Sequence, residues 1–320
     1  MPVIKKITYQ PPFFLLNKHI HSIYPVFFRK ISGVIFNRER ITLRDSDFID
    51  LDLASEGNKK AVILIHGFEG STNSVYIKAM TRAFLQRGWD AIGMNLRGCS
   101  GEANLLFRSY HSGETNDLEE VIQYIIGKET YSQIALVGFS LGGNILLKYL
   151  GEKGKNIHNK IKSAVAISVP CDLAKSENAL NIVYAKWFLK SLIPKTKAKL
   201  KLFPDNILGT RIPKIKTIRE FDDYFTAPVH GFKNVADYYE KCSSISFISS
   251  IKLPTLLLSA QDDPFLAPEC FPFDEARNSD YFYLKSPEKG GHVAFAQFKE
   301  NGEFWAEQEA VNFASSYITT

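Results

Sequence analysis

The chain has 320 residues, of which 45% are hydrophobic and 23% are charged, and its formal net charge is +5. This composition is typical of a globular protein and excludes disordered, collagen-like and fibrous classes. The four cysteines form no C-x-x-C pair and exclude a disulfide scaffold, so we expect a reducing, cytoplasmic location. No apolar run approaches the roughly 18 residues of a membrane helix, and the first residues do not resemble a secretory signal.

Short apolar runs alternate with helix-like segments along most of the chain. An edge pair of strands is predicted within residues 41–53, and further strands are predicted at 61–65, 89–96, 134–137, 164–167, 255–259 and 281–284. Helices are predicted at 76–87, 117–126, 141–150 and 302–317. Continuous apolar strands are typical of a parallel sheet that is covered on both faces. The alternation therefore predicts a doubly wound, mostly parallel α/β sheet.

The regular pattern stops between residues 171 and 253. This segment is too long for a connecting loop and contains an amphipathic stretch at 180–192. We expect its helices to be interrupted at four prolines, which are Pro194, Pro204, Pro213 and Pro228. The sequence thus predicts an N-terminal arm that packs on the core (1–40), an α/β core (41–170 and 254–320) and a helical cap inserted at 171–253.

A G-x-S-x-G motif follows the strand predicted at 134–137 and opens the next helix. It reads Gly138-Phe139-Ser140-Leu141-Gly142. In a strand–turn–helix context this motif is a nucleophile elbow, in which small flanking residues permit a strained turn that raises the serine hydroxyl above the sheet. The motif alone is a modest signal, since a small-residue turn has the same pattern, but its context favours Ser140 as a nucleophile.

A serine nucleophile needs a base, and the base needs an acid that orients it. His292 follows two glycines after the last predicted strand, and Asp263 follows the strand at 255–259. The chain order of serine, acid and histidine is that of the α/β-hydrolases. Asp262 is an alternative acid, and Asp263 is favoured because it directly precedes the turn-forming Pro264.

An acyl-transfer site also needs donors for an oxyanion. The loop His66-Gly67-Phe68-Glu69-Gly70 follows the strand at 61–65, where such enzymes place one backbone donor. We assign the two donors to the N–H groups of Phe68 and Leu141. His66 is interpreted as a structural residue of this loop.

These motifs together resemble the YheT-like branch of the α/β-hydrolase superfamily. The resemblance extends from about residue 10 to the C-terminus and includes stretches at 11–25, 97–102, 109–115, 221–223, 226–228 and 230–232. It implies Ser140, Asp263 and His292 as the catalytic triad, and an esterase or lipase activity on acyl esters. One departure is His21-Ser22, where the family pattern has Gln-Thr. The stretches at 97–102 and 109–115 are the most specific part of the resemblance. Their polar residues Arg97, Tyr110, His111 and Glu114 are interpreted as a hydrogen-bonded scaffold beside the site.

The sequence therefore predicts a serine hydrolase that cleaves carboxylic, lipid-like esters through an acyl-enzyme on Ser140. An acyltransferase that passes the acyl group to an alcohol, and a non-catalytic binding protein on the same fold, stay open as alternatives. No metal or cofactor is expected, since the chain has no H-E-x-x-H, P-loop or G-x-G-x-x-G motif. We expect four apolar cap residues to line the acyl pocket, namely Trp187, Phe188, Leu189 and Phe203.

Positive charge is concentrated in two segments. Residues 1–40 hold seven Lys or Arg and one acid, and residues 186–219 hold ten and one, so these segments carry +6 and +9. The remaining chain then carries −10. A nucleic-acid partner is not expected, since no nucleic-acid-binding module accompanies the charge. A solvated cap surface and a peripheral contact with an anionic membrane surface are the two interpretations of the basic segments, and the oligomeric state is left open.

Overall fold

A computed structural model describes residues 2–203, 215–299 and 301–318. Within this part of the chain, eight strands form one sheet in the order β1-β2-β4-β3-β5-β6-β7-β8. Their bounds are Asn37–Thr42, Phe48–Ala54, Lys60–Ile65, Asp90–Met94, Gln133–Phe139, Ile161–Ile167, Thr255–Leu258 and Phe282–Lys285. β2 pairs antiparallel with β1 and β4, and every other pair is parallel. The predicted mostly parallel, doubly wound sheet is confirmed.

Helices cover both faces of the sheet. The helices of the described residues are α1 Lys18–Phe28, α2 Val75–Leu85, α3 Thr115–Gly127, α4 Leu141–Lys153, α5 Leu173–Ala179, α6 Ile182–Leu202, α7 Ile218–Phe221, α8 Ala227–Val229, α9 Val235–Cys242, α10 Phe273–Arg277 and α11 Trp305–Ser316. In β3, Val62 and Leu64 pack with α2 and α11, while Ile63 and Ile65 pack with α3 and α4. Because side chains of a strand alternate between faces, an unbroken apolar strand contributes to two cores at once.

Among the described residues between β6 and β7, where the sequence predicts a cap, five segments are α-helical, namely α5 to α9. They include an apolar cluster of their own, in which Phe188, Phe221 and Phe225 are buried. Phe68 of the core packs against this cluster and joins it to the sheet. The predicted interruptions at Pro204 and Pro213 lie outside the described residues.

The expected helix break at Pro194 is wrong. α6 runs from Ile182 to Leu202 with Pro194 inside it. A proline lacks the N–H that would bond to the carbonyl of Lys190, but both residues are solvent-exposed, so water can take that carbonyl's hydrogen bond. Of the described helices, none is both long enough and apolar enough to span a bilayer.

The N-terminal residues run along the core before the sheet begins. Val3 bridges to Leu284 of β8, and the Tyr9 ring is buried against the α2 and α11 face. β1 begins at Asn37, three residues before the predicted end of the arm, where its backbone starts to pair with β2, and Arg38 and Arg40 form ion pairs with β2. Helix α1, which belongs to this arm, lies at the carboxyl edge of the sheet, where the candidate site also lies.

Candidate active site

Ser140 occupies a strained turn between β5 and α4. Its φ and ψ are 50° and −119°, a conformation that a residue with a side chain rarely adopts. A Cβ at Gly138 would lie 2.5 Å from the carbonyl oxygen of Gly142, and one at Gly142 would lie 2.4 Å from that of His66. The small residues of the motif are thus required by the close approach of backbone to backbone.

The structure brings Ser140, His292 and Asp263 together in one hydrogen-bonded line. Nε2 of His292 lies 3.0 Å from Oγ of Ser140. Nδ1 of the same ring lies 2.8 Å and 3.1 Å from the two carboxylate oxygens of Asp263. Asp262 contacts the loop backbone instead, since its Oδ1 accepts from the N–H of Gly291 at 3.1 Å. Of the two adjacent aspartates, Asp263 is therefore the one that contacts the imidazole of His292.

The loop that carries His292 is held by two hydroxyl groups from distant parts of the chain. The N–H of His292 donates to Oγ of Ser22 in α1 at 2.8 Å. The N–H of Val293 donates to Oγ of Ser168, beyond β6, at 2.9 Å. Val293 has a φ of 62°, which is strained for a β-branched residue. The two serines stabilise a backbone conformation that the loop sequence does not favour by itself.

Two backbone N–H groups stand beside the nucleophile. The loop after β3 approaches it closely, since a Cβ on Gly67 would lie 3.1 Å from that of Ser140. Phe68 and Leu141 both line the cavity that contains Ser140, and within the described chain neither N–H donates a hydrogen bond. The N–H groups of Gly67 and Glu69 are taken by Tyr76 and Tyr110 hydroxyls, at 3.0 Å and 2.9 Å. The N–H of Phe68 thus remains available between two that are occupied.

A cavity of about 750 Å³ extends from Ser140 and His292 toward the helices between β6 and β7. Its apolar lining includes residues of both layers, namely Phe107, Phe188, Leu192, Ile218, Phe221, Phe225 and Phe265. Of the four cap residues expected in the lining, only Phe188 is found there. Trp187 is 61% exposed, Leu189 is buried in the cap cluster, and the Phe203 ring packs on Phe107. On one helix, neighbouring residues face different directions, so adjacent apolar positions cannot all line the same cavity.

A buried ion-pair network forms one side of the site. Arg97 is almost fully buried and contacts Asp117 at 2.7 Å and Asp47 at 3.1 Å. Tyr110 donates to Glu69 at 2.9 Å, and burial raises the pKa of its hydroxyl well above the ordinary value. These contacts give Arg97 and Tyr110 a scaffold role, because buried charges need partners of this kind.

His111, Glu114 and His230 bring three potential metal ligands within 4.8 Å of one another. Burial lowers the pKa of His230 to about 3. Burial alone would raise the pKa of Glu114, but the hydrogen bond from His111 and the positive charge of Arg108 outweigh it and lower that pKa to about 2. The guanidinium of Arg108 also hydrogen-bonds to Glu114. Since a cation would have to compete with this arginine, the cluster is better described as an ion-paired wall than as a metal centre.

Three contacts to the site were not predicted from the sequence. They are Ser22 and Ser168, which hold the histidine loop, and Phe265, whose ring lies 4.2 Å from that of His292. Ser22 belongs to a position pair, His21-Ser22, that departs from the family pattern, but that departure did not indicate a contact with His292. Ser168 and Phe265 follow strands β6 and β7 but belong to no motif. His66 is fully buried and binds the backbone of Leu96 and Gly67, as its structural interpretation requires.

The sequence of the chain matches a known protein family. The family model described as alpha/beta hydrolase fold matches residues 60–298. The YheT protein of Escherichia coli (strain K12), named as a candidate esterase, is 33% identical over 94% of this chain and 91% of its own. The chain belongs to the α/β-hydrolase family, in its YheT-like branch.

More distant similarities also cover most of this chain. The monoacylglycerol lipase of Saccharomyces cerevisiae is 29% identical over 81% of this chain and 60% of its own. The solved esterase Pf2001 of Pyrococcus furiosus has a TM-score of 0.60, at 17% identity over 89% of this chain and 94% of that one. At this low identity the structural likeness supports the α/β-hydrolase fold alone.

Proposed function

We propose that this α/β-hydrolase cleaves carboxylic esters through an acyl-enzyme on Ser140. The observation that carries the proposal is the unbroken line from Ser140 through His292 to Asp263, with contacts of 3.0 Å and 2.8 Å. This is the arrangement that lets a serine hydroxyl lose its proton as it attacks a carbonyl. The esterase and lipase names of the relatives support the same reaction class.

In the proposed mechanism, Nε2 of His292 takes the proton of the Ser140 hydroxyl while Oγ attacks the ester carbon. Asp263 holds the ring so that Nδ1 carries its proton and stabilises the imidazolium that forms. The N–H groups of Phe68 and Leu141 stabilise the oxyanion. The imidazolium protonates the departing alcohol, and a water activated by the same ring then releases the carboxylic acid.

The lining of the cavity supports a lipid-like acyl chain as the group that is transferred. Phe188, Leu192 and Phe225 provide an apolar wall, and a volume of about 750 Å³ is in the range of drug-sized ligand sites. The basic arm and cap would allow such a substrate to be met at an anionic membrane surface. An acceptor alcohol in place of water would make the same acyl-enzyme an acyltransferase.

The test is turnover of p-nitrophenyl esters of increasing chain length by the parent and by variants of Ser140 and Asp263. We expect Ser140→Ala to lower kcat by about 10⁴-fold or more and to abolish labelling by a fluorophosphonate probe. Asp263→Asn should lower kcat by about 10⁴-fold. The matched variant Asp262→Asn should keep kcat within about tenfold, since Asp262 contacts the N–H of Gly291 and the side chain of Lys289 and not the imidazole.

Full labelling of Ser140→Ala, or equal losses for the two aspartate variants, would contradict the proposal. Product analysis in the presence of added alcohols separates the two fates of the acyl-enzyme. A dominant ester product would favour the acyltransferase, and a dominant free acid the hydrolase.

A further inference from the structure

The arm, the first half of α6 and Phe298, which precedes α11, expose one apolar surface beside the candidate site. We call this surface the arm–cap face. Its residues are between 40% and 85% exposed and are Phe13, Phe14, Leu16, Ile20, Ile23, Val26, Phe27, Phe28, Ile182, Val183, Trp187 and Phe298. The arm and α6 are joined where Nδ1 of His19 in α1 lies 3.1 Å from the hydroxyl of Tyr184 in α6. An exposed apolar patch with polar edges marks an interaction site.

Helix α1 turns its apolar side outward. Its fully buried residues are His21 and Pro25, and Ser22 also faces inward, toward the loop of His292. Its outward side carries five apolar residues and one charged residue, Lys18. A surface helix of a globular protein normally directs its apolar side toward the core and its polar side toward solvent. The outward side of α1 is therefore better suited to an apolar environment than to water.

The aromatic rings of this face form a continuous chain. Phe14 stacks on Phe298 with ring centroids 5.7 Å apart, and Tyr24 lies 5.9 Å from Phe298 and 5.3 Å from Phe28. Phe13 extends the chain at 5.3 Å from Phe14 and is 85% exposed. Helix packing and ring contacts already hold these side chains outward. Their insertion into an apolar phase therefore costs less side-chain conformational entropy.

The charges around the face have one sign. α6 carries six lysines and no carboxylate over Ile182–Leu202, and Lys186 and Lys190 stand exposed beside Trp187. Lys18 and Lys30 are exposed at the arm. Apolar and aromatic side chains beside lysines are the composition of segments that lie in the interface of anionic bilayers.

We propose that the arm–cap face docks on an anionic lipid surface. The charge is complementary to such a surface. A second copy of the chain fits it poorly, because both copies would bring the same excess of lysines to a two-fold interface. Docking would hold the site at the lipid, since Ser22 of α1 bonds to His292 and Tyr184 of α6 packs on Phe265, which packs on His292. Binding itself does not depend on the proposed hydrolysis.

The test uses the full chain with Ser140→Ala, so that binding is measured without turnover. Sedimentation with phosphatidylcholine vesicles is compared with and without phosphatidylglycerol, at low and high salt. We expect binding that needs phosphatidylglycerol and weakens with salt. The pairs Phe27→Glu/Phe28→Glu and Lys186→Glu/Lys190→Glu should each lower the partition coefficient about tenfold or more.

The matched control is Tyr281→Glu. Tyr281 is 39% exposed and precedes β8, so it lies at the amino edge of the parallel strands, opposite the site. This variant should bind within about twofold of the parent. Each variant is checked by its melting temperature.

Three results would overturn the proposal. The first is no binding of the folded Ser140→Ala parent to phosphatidylglycerol vesicles at low salt, a result that needs no substitution on the arm–cap face. The second is unchanged binding of both variant pairs. The third is a dimer in analytical ultracentrifugation that Phe27→Glu/Phe28→Glu dissociates, which would make the face a self-interface. None of these results bears on the esterase activity, which the soluble p-nitrophenyl esters measure separately.

Discussion

Helices α1 and α2 have eleven residues each and are both amphipathic, but they face the protein in opposite ways. α2 buries Ile77, Met80 and Phe84 against the sheet and directs Lys78 and Arg82 outward. α1 directs its phenylalanines outward and buries polar groups against the loop of His292. Amphipathicity therefore identifies two sides of a helix, while its surroundings decide which of them is inside.

The first test of this contrast compares one phenylalanine from each helix. Phe84 is fully buried, so Phe84→Ala should lower the free energy of unfolding by about 3–5 kcal/mol. Phe27 is 71% exposed, and Phe27→Ala should change it by no more than about 0.5 kcal/mol. Urea unfolding measures both values. Similar losses for the two variants would mean that α1 is packed in a different orientation.

The buried side of α1 predicts a sensitivity to acid. His21 has no exposed surface, and burial lowers its pKa to about 4, against about 6.5 in the unfolded chain. The unfolded chain therefore binds this proton first as pH falls, and stability falls between about pH 6.5 and pH 4. The full effect is roughly 3 kcal/mol for this residue.

The variant His21→Gln tests this effect. Glutamine can accept the hydrogen bond that Nε2 of His21 accepts from the N–H of Ala296, but it does not titrate. As pH falls from 7 to 4, we expect the free energy of unfolding of the variant to decrease less than that of the parent. Urea titrations at each pH measure both values. A constant difference between the two proteins would show that His21 is not the titrating group.

The smallest effect expected is on catalysis, from the inward-facing Ser22. Loss of its bond to the N–H of His292 should lower kcat of Ser22→Ala about tenfold, or about 1.4 kcal/mol, with little change in KM. Ser22→Thr keeps the hydroxyl and should restore kcat. If Ser22→Ala and Ser22→Thr have equal kcat and differ only in their free energy of unfolding, Ser22 has a structural role alone.

The sequence predicted those parts of the molecule that depend on neighbouring residues. The unbroken apolar run at 61–65 predicted a strand that is buried on both faces, and the glycines around Ser140 predicted a strained turn, because both requirements are local. Chain order placed Asp263 and His292 at strand ends, and parallel strands bring such ends to one edge. The contact of His292 with Ser22 could not be predicted, since 270 residues separate them and no periodicity links them.

The cap shows the same limit. Its apolar residues were recognised from composition, but only Phe188 of the four expected residues reaches the cavity, because the rotation of α6 about its axis is set by contacts with Phe68 and Phe265. The helix also continues through Pro194, which solvent exposure permits and sequence pattern alone does not reveal.

The sequence by itself determined the strand-and-helix alternation, the nucleophile turn and the concentration of positive charge in the arm and the cap. The tertiary structure decided which aspartate contacts His292, which serine holds its loop and which side of α1 faces outward. The physical reason is that propensity, glycine placement and charge are properties of short segments, whereas burial depends on which distant segments come to lie against them.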